Sequence, residues 1–430
     1  MHNKKILFIT HDANNIFIKY LINSLKKNFK VDLHNPTKFR ENFFFKLTNY
    51  FFIKIVDIFS NYKKSNKEKF YIQYQIINSQ NILKKIYFTL KKLINKFNFS
   101  FDKSDIYFKF FKNSKKYRNY LKKYDLVISD FRLNNLYNPD LRLIYEAAHL
   151  KDVKLISWVY SWDNIYHANI MKHADYIFVW TNFFKKLVKI KHNYKNNKII
   201  RTGCIQFDYL KKKIKRSNTN KVILFACSYG TDQNNTGDNF IKDEIEFLKT
   251  LGECVQKINN KCNILVRPYP SALRHEYKDI MKQKNIKLTE YGKLIKRRKD
   301  DTEKIRFDLN LNKKLKQIIN SDLVISFGST FNIEAAILDK IVLHIDFTDI
   351  KEQRYKSYNY FKNQMEYLKV LKGKNFPNII KNKKQLEKVI HDILIKENIK
   401  KYSKYNSYLK RIFFNKKKTT EELKLILENL

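Results

Sequence analysis

Glycine and proline are nearly missing from this chain, at 7 and 5 of 430 residues. The first glycine is Gly203, so the amino-terminal half carries no G-x-G-x-x-G turn and a dinucleotide site of that kind is not expected there. Cysteine is scarce too: Cys204, Cys227, Cys254 and Cys262 form no C-x-x-C pair, which leaves buried free thiols in a reducing compartment as the simplest reading. No stretch of about 18 uncharged apolar residues occurs, so no transmembrane helix is expected. The chain passes from Met1-His2-Asn3-Lys4-Lys5 straight into an apolar run too short for a signal peptide, so none is expected. Asp-x-Asp is absent, and acidic residues number 41 against 87 Lys and Arg.

The resulting formal charge of +46 points to nucleic acid, an acidic ligand or an anionic membrane surface. No zinc-finger spacing and no aromatic RNA-binding motif accompanies it, and the lysines are spread along the whole chain, so nucleic acid is set aside. Abundant Lys, Asn, Ile, Phe and Tyr match an AT-rich coding bias. Hydrophobic residues at 43% and aromatics at 15% suffice for packed interiors. The length suggests two domains.

Short apolar runs that end in polar residues recur along the chain: Lys5 to Thr10 before His11-Asp12, Leu126 to Ser129 before Asp130, Val153 to Val159 before Ser161-Trp162-Asp163, Tyr176 to Trp180, and Lys198 to Thr202 before Gly203. Helical stretches lie between them, so parallel βαβ units are predicted, with those polar ends along one rim. Residues 39–124 read as a helical insertion. Within it Phe43 to Ser60 is apolar almost all round, and is either a core helix or an interfacial helix resting on an anionic bilayer. Residues 211–220 (KKKIKRSNTN) have no apolar period and read as a linker. A second alternation follows: Lys221 to Ser228 before Tyr229-Gly230, Asn263 to Pro270, Ile286 to Thr289, Leu323 to Ile325 and Ile341 to Ile345. From Lys351 onward the chain reads as helical, with one break at Pro377. The expected fold is therefore α/β: a first Rossmann-like domain over 1–210, a second over 221–395, and a helical tail over 396–430.

The stretch from Asp322 to Asp346 reads strand, tight turn, helix, strand. Gly328 permits close backbone approach, and Ser329 and Thr330 stand at a helix start where unpaired N–H groups meet an anion; ordinary helix capping explains the same residues. Glu334 lies one turn further in. This GST-x3-EA pattern followed by a strand resembles the donor-nucleotide segment of GT-B-type glycosyltransferases, and is similar to regions of sugar-nucleotide 2-epimerases and CDP-glycerol glycerophosphotransferases. The run from Ser161-Trp162-Asp163-Asn164 through Gly203 and Asp208 resembles the later half of an acceptor domain in surface-carbohydrate transferases of that type.

The resemblance implies a GT-B arrangement of two Rossmann-like domains, with the donor bound by Ser228, Tyr229, Gly230, Arg267, Gly328, Ser329, Thr330 and Glu334. Arg267 offers two donors to a diphosphate, although a strand-end Arg paired with a carboxylate is an equal reading. Where the family often has His-Pro, this chain has Tyr269-Pro270. The base that activates the acceptor is expected at a strand end of the first domain, from His11, Asp12 or Asp163, with Asp130 a further candidate. The absent Asp-x-Asp agrees with a metal-independent reaction and with no cofactor beyond the nucleotide-sugar substrate.

The function expected is cytoplasmic transfer of a sugar from a nucleotide-sugar to a glycan or lipid-linked acceptor of the cell envelope, with peripheral contact to an anionic membrane. Polyol phosphate transfer and non-hydrolysing 2-epimerisation are alternatives, the second set lower because the resemblance implies epimerases without the helical insertion. A non-catalytic basic binding protein on the same scaffold is the third.

Overall fold

The computed structural model describes residues 4–10, 16–34, 52, 55–56, 76, 81–94, 103–112, 114–130, 141–162, 165, 173–211, 215–216, 220–227, 240–258, 261–268, 277, 279–289, 293–296, 303–306, 311–346, 370–371, 374–396 and 399–430. The chain divides into two compact units, one of residues 1–208 with 412–430, the other of residues 209–411.

Unit 1 holds six strands, β1 (Lys5–Ile9), β2 (Lys30–Leu33), β3 (Leu126–Asp130), β4 (Lys154–Trp158), β5 (Tyr176–Val179) and β6 (Ile199–Arg201). They form one sheet in the order β2-β1-β3-β4-β5-β6, every pair parallel. Its helices are α1 (Ile16–Leu25), α2 (Ile82–Ile94), α3 (Lys103–Phe110), α4 (Lys115–Leu121), α5 (Leu141–Ala148) and α6 (Asn182–His192). Strand β1 shows why its run is apolar without a break. Ile6 and Phe8 pack into one cluster with Ile18, Leu21 and Leu25 of α1, while Leu7 and Ile9 pack into another with Tyr107, Leu121 and Ile144 of α3, α4 and α5. A parallel strand covered on both faces has no solvent side to keep polar.

Unit 2 holds β7 (Val222–Ala226), β8 (Asn263–Arg267), β9 (Ile286–Leu288), an antiparallel pair β10 (Lys293–Lys296) and β11 (Glu303–Arg306), then β12 (Leu323–Ser326), β13 (Ile341–Ile345) and β14 (Ile379–Ile380). Its main sheet runs β14-β13-β12-β7-β8-β9, again entirely parallel. The helices are α7 (Phe240–Ile258), α8 (Leu311–Asn320), α9 (Thr330–Ile337), α10 (Lys383–Leu394) and, as far as Arg411, α11 (Ser403–Phe413). One core cluster joins Ile223, Phe225, Phe247, Ile325, Leu343 and Ile390.

The expectation that the chain is helical beyond Lys351 is corrected at β14. His344 N–H donates to Asn378 O at 2.9 Å and Asp346 N–H to Ile380 O at 2.7 Å, extending the sheet by two residues just past Pro377. Two residues carry no period, which is why the sequence did not show it. All four cysteines are buried and free, and burial pushes the Cys254 and Cys262 thiols up to about 12. Of Phe43 to Ser60 only Phe52, Ile55 and Val56 are described. Val56 is buried and Phe52 packs beside it on the unit 1 core, so at these two positions the segment faces inward.

The last helix, α12 (Thr419–Asn429), belongs to unit 1: Leu423 and Leu427 pack with Phe8. The position before it is Lys418, which cannot cap. Asp208, 211 residues earlier, does so instead, accepting from Thr419 N–H through both oxygens at 3.0 Å and from Thr419 Oγ1 at 3.1 Å. Gly203 makes room, since at φ 86° its Cβ would stand 2.8 Å from Thr419 Oγ1. At the other end Lys4 Nζ donates to Leu427 O and Glu428 O, placing a cation on the negative end of the helix. Asp208→Ala should cost about 1–2 kcal/mol, the usual worth of a cap, and speed hydrogen exchange through Thr419–Asn429 ahead of β1; unchanged exchange there would refute the anchoring role.

Candidate functional site

In unit 2 the carboxyl ends of β12 and β8 stand on either side of β7, roughly 10 Å apart at ordinary strand spacing. The β12 end is shaped by hydrogen bonds that its sequence dictates. Gly328 adopts φ 106°, a conformation that side chains disfavour. Its N–H donates to Ser326 Oγ at 3.1 Å, and that hydroxyl donates to Asn332 Oδ1 at 2.8 Å. Ser329 then caps α9, accepting from Phe331 N–H at 3.2 Å, and Thr330 is the first helical residue. Asn332 is fully buried, and among the described residues its Nδ2 has no hydrogen-bond partner.

Arg267 ends β8 and is 8% exposed. Its guanidinium donates to Gln317 Oε1 at 2.5 Å and lies over the Phe331 ring, 5.5 Å from the centroid. Lys314, one turn before Gln317 on α8, stands over the same ring at 5.1 Å and over the Tyr209 ring at 5.8 Å. Its ammonium is ion-paired with Glu334 Oε2. Glu334 is 2% exposed. Burial, chiefly, holds the Lys314 pKa below the ordinary lysine value; Glu334 opposes that shift and Arg267 adds to it. Lys314 and Arg267 thus stand over one ring, the first paired with Glu334, beside a helix N-terminus that is itself positive.

The predicted donor residues Arg267, Gly328, Ser329, Thr330 and Glu334 are therefore brought to one end of one sheet. Arg267 and Glu334 are connected through Lys314, which the sequence reading did not name; nor did it name Gln317, Tyr209 or Asn332. The Arg267 side chain donates to a glutamine, Gln317. Ser228, Tyr229 and Gly230 lie outside the described residues, following Cys227 at the end of β7. In unit 1, His11, Asp12 and Asp163 also lie outside them. What is described there is the adjoining rim: Thr10 Oγ1 donates to Asp130 Oδ2 at 2.7 Å, both residues buried, and Trp158 ends β4 with its Nε1 lacking a hydrogen-bond partner among the described residues.

No family model matches the chain, and no curated protein matches it. Solved structures do. The Staphylococcus aureus MnaA structure with UDP aligns over 99% of this chain and 98% of its own, at TM-score 0.51 and 12% identity. A putative UDP-N-acetylglucosamine 2-epimerase from Listeria monocytogenes aligns over 100% and 98%, at 0.51 and 13%, and another UDP-N-acetylglucosamine 2-epimerase over 99% and 95%, at 0.50 and 13%. At such identities the likeness is one of fold: two Rossmann-like α/β units of GT-B type.

Proposed function

We propose that this protein binds a nucleotide-sugar in unit 2 and transfers the sugar to a glycan or lipid-linked acceptor. The observation that carries the reading is the Arg267–Lys314–Glu334 cluster beside the Gly328–Ser329 turn. It sets the Arg267 guanidinium and the Lys314 ammonium over one ring beside the α9 N-terminus, a setting that suits a diphosphate. In the transfer, the acceptor hydroxyl oxygen attacks the anomeric carbon while the bond to the diphosphate breaks. The charge that builds on the leaving phosphate is met by Arg267, Lys314 and the α9 N-terminus. The hydroxyl proton passes to a base, for which His11, Asp12 and Asp163 are the candidates and the buried Asp130 a fourth. Glu334 takes a ribose hydroxyl and no proton.

A second reading, 2-epimerisation of the nucleotide-sugar, is favoured by the epimerase-like fold along nearly the full chain. Incubation with a panel of sugar nucleotides separates the two. Release of nucleoside diphosphate with a lipid-linked or glycan acceptor present is the expected result. An epimeric sugar nucleotide with no diphosphate released would establish the second reading in its place, and absence of both turnover and nucleotide binding would leave a basic binding protein.

A further inference from the structure

Helix α2 presents an apolar stripe to solvent. Leu83 is 76% exposed and Ile82 72%, and Ile86, Leu90 and Leu93 lie between 44% and 51%. At 3.6 residues per turn these five side chains fall within about 100° of arc. The opposite side is the attached one: Lys91 is 7% exposed and Tyr87 and Phe88 are half-buried. Exposed Lys85 and Lys92 border the stripe. Among the described residues no other helix shows five large exposed apolar side chains on one face.

We infer that α2 is a docking surface for an anionic lipid bilayer, lying in the headgroup layer with Ile82, Leu83, Ile86, Leu90 and Leu93 in the acyl boundary and Lys85 and Lys92 at the phosphates. Thirteen residues make a helix of about 20 Å, too short for the roughly 30 Å hydrocarbon core. An interfacial position is the one left for it, and an apolar face with lysines at its border is the pattern that such helices show. Charge decides between a membrane and a second copy of the chain. Two copies meeting on α2 would bring like-charged lysine borders together on chains that each carry +46, whereas an anionic leaflet complements both.

The test uses the full chain and no substrate, so it stands apart from the proposed activity. The protein is sedimented with vesicles of phosphatidylcholine alone or of phosphatidylcholine and phosphatidylglycerol in equal parts. The wild type is expected on the mixed vesicles and off the neutral ones. The combined variant Leu83→Ser, Ile86→Ser, Leu90→Ser keeps every charge and changes only exposed positions. It should bind roughly tenfold less or weaker still with its melting temperature unchanged. Lys85→Ser with Lys92→Ser should weaken binding and flatten its salt dependence. The inference is overturned if the apolar variant binds like wild type, if neutral and mixed vesicles bind equally, or if the wild type dimerises without lipid and the apolar variant does not.

Discussion

Replacing Glu334 with Ala should destabilise unit 2 by about 3–5 kcal/mol, the cost of leaving a buried charge without its partner. The carboxylate is 2% exposed and meets an ammonium that is itself nearly enclosed. Without it, Lys314 loses its ion-pair partner while Arg267 stays over the same Phe331 ring. The desolvation that already lowers the Lys314 pKa would then act with little opposition. Removing both charges together, as in Glu334→Met with Lys314→Met, should restore most of the lost stability, because replacing a whole buried pair by apolar groups is often neutral. Urea unfolding of the full chain measures both. A loss below about 1 kcal/mol in Glu334→Ala would mean that the pair is far wetter than the structure has it.

The sign of the pH effect follows from the same pair. A lysine whose folded-state pKa lies below its unfolded value binds fewer protons when folded over the interval between the two. Stability therefore rises with pH across that interval, as the cost of the buried cation is relieved. Glu334→Ala takes away the group that holds the Lys314 pKa up, so it should widen the interval toward neutral pH and steepen the rise.

Much of this architecture is legible in the sequence because it rests on local signals. The unbroken apolar run of β1 is what a strand covered on both faces requires, and Gly328-Ser329-Thr330 announces a turn and a cap that the structure shows at φ 106° with Ser329 accepting from Phe331. The cluster itself was only half legible. Lys313, Lys314 and Lys316 look alike in LNKKLKQIIN, and the one that is buried is decided by which side of α8 faces α9, a tertiary fact. Capping of α12 by Asp208 was hidden for the same reason, since it joins residues 211 apart. The resemblance had placed Asp208 at the close of the first domain without saying what its carboxylate holds.

Whether Glu334 serves a ligand or only Lys314 is decided by comparing two anions on one variant. Glu334→Gln keeps the shape of the side chain and removes its charge. If Glu334 does no more than balance Lys314, the variant site is more positive, and both inorganic diphosphate and a nucleoside diphosphate should bind as tightly as before or tighter. If Glu334 also takes a ribose hydroxyl, the two ligands part. Diphosphate, which has no ribose, keeps or gains affinity, while the nucleoside diphosphate loses a charged hydrogen bond, so its advantage over diphosphate should shrink by about 1–3 kcal/mol. Calorimetry on the folded full chain reads both constants. With an active preparation the same variant should raise the donor KM more than it lowers kcat. His11→Ala, Asp12→Ala or Asp163→Ala, whichever removes the base, should lower kcat and leave donor binding intact. An unchanged preference for nucleoside diphosphate over diphosphate in Glu334→Gln would reduce Glu334 to a counter-ion. It would also withdraw the ribose assignment from this stretch, leaving Arg267, Lys314 and the α9 N-terminus as a phosphate site alone.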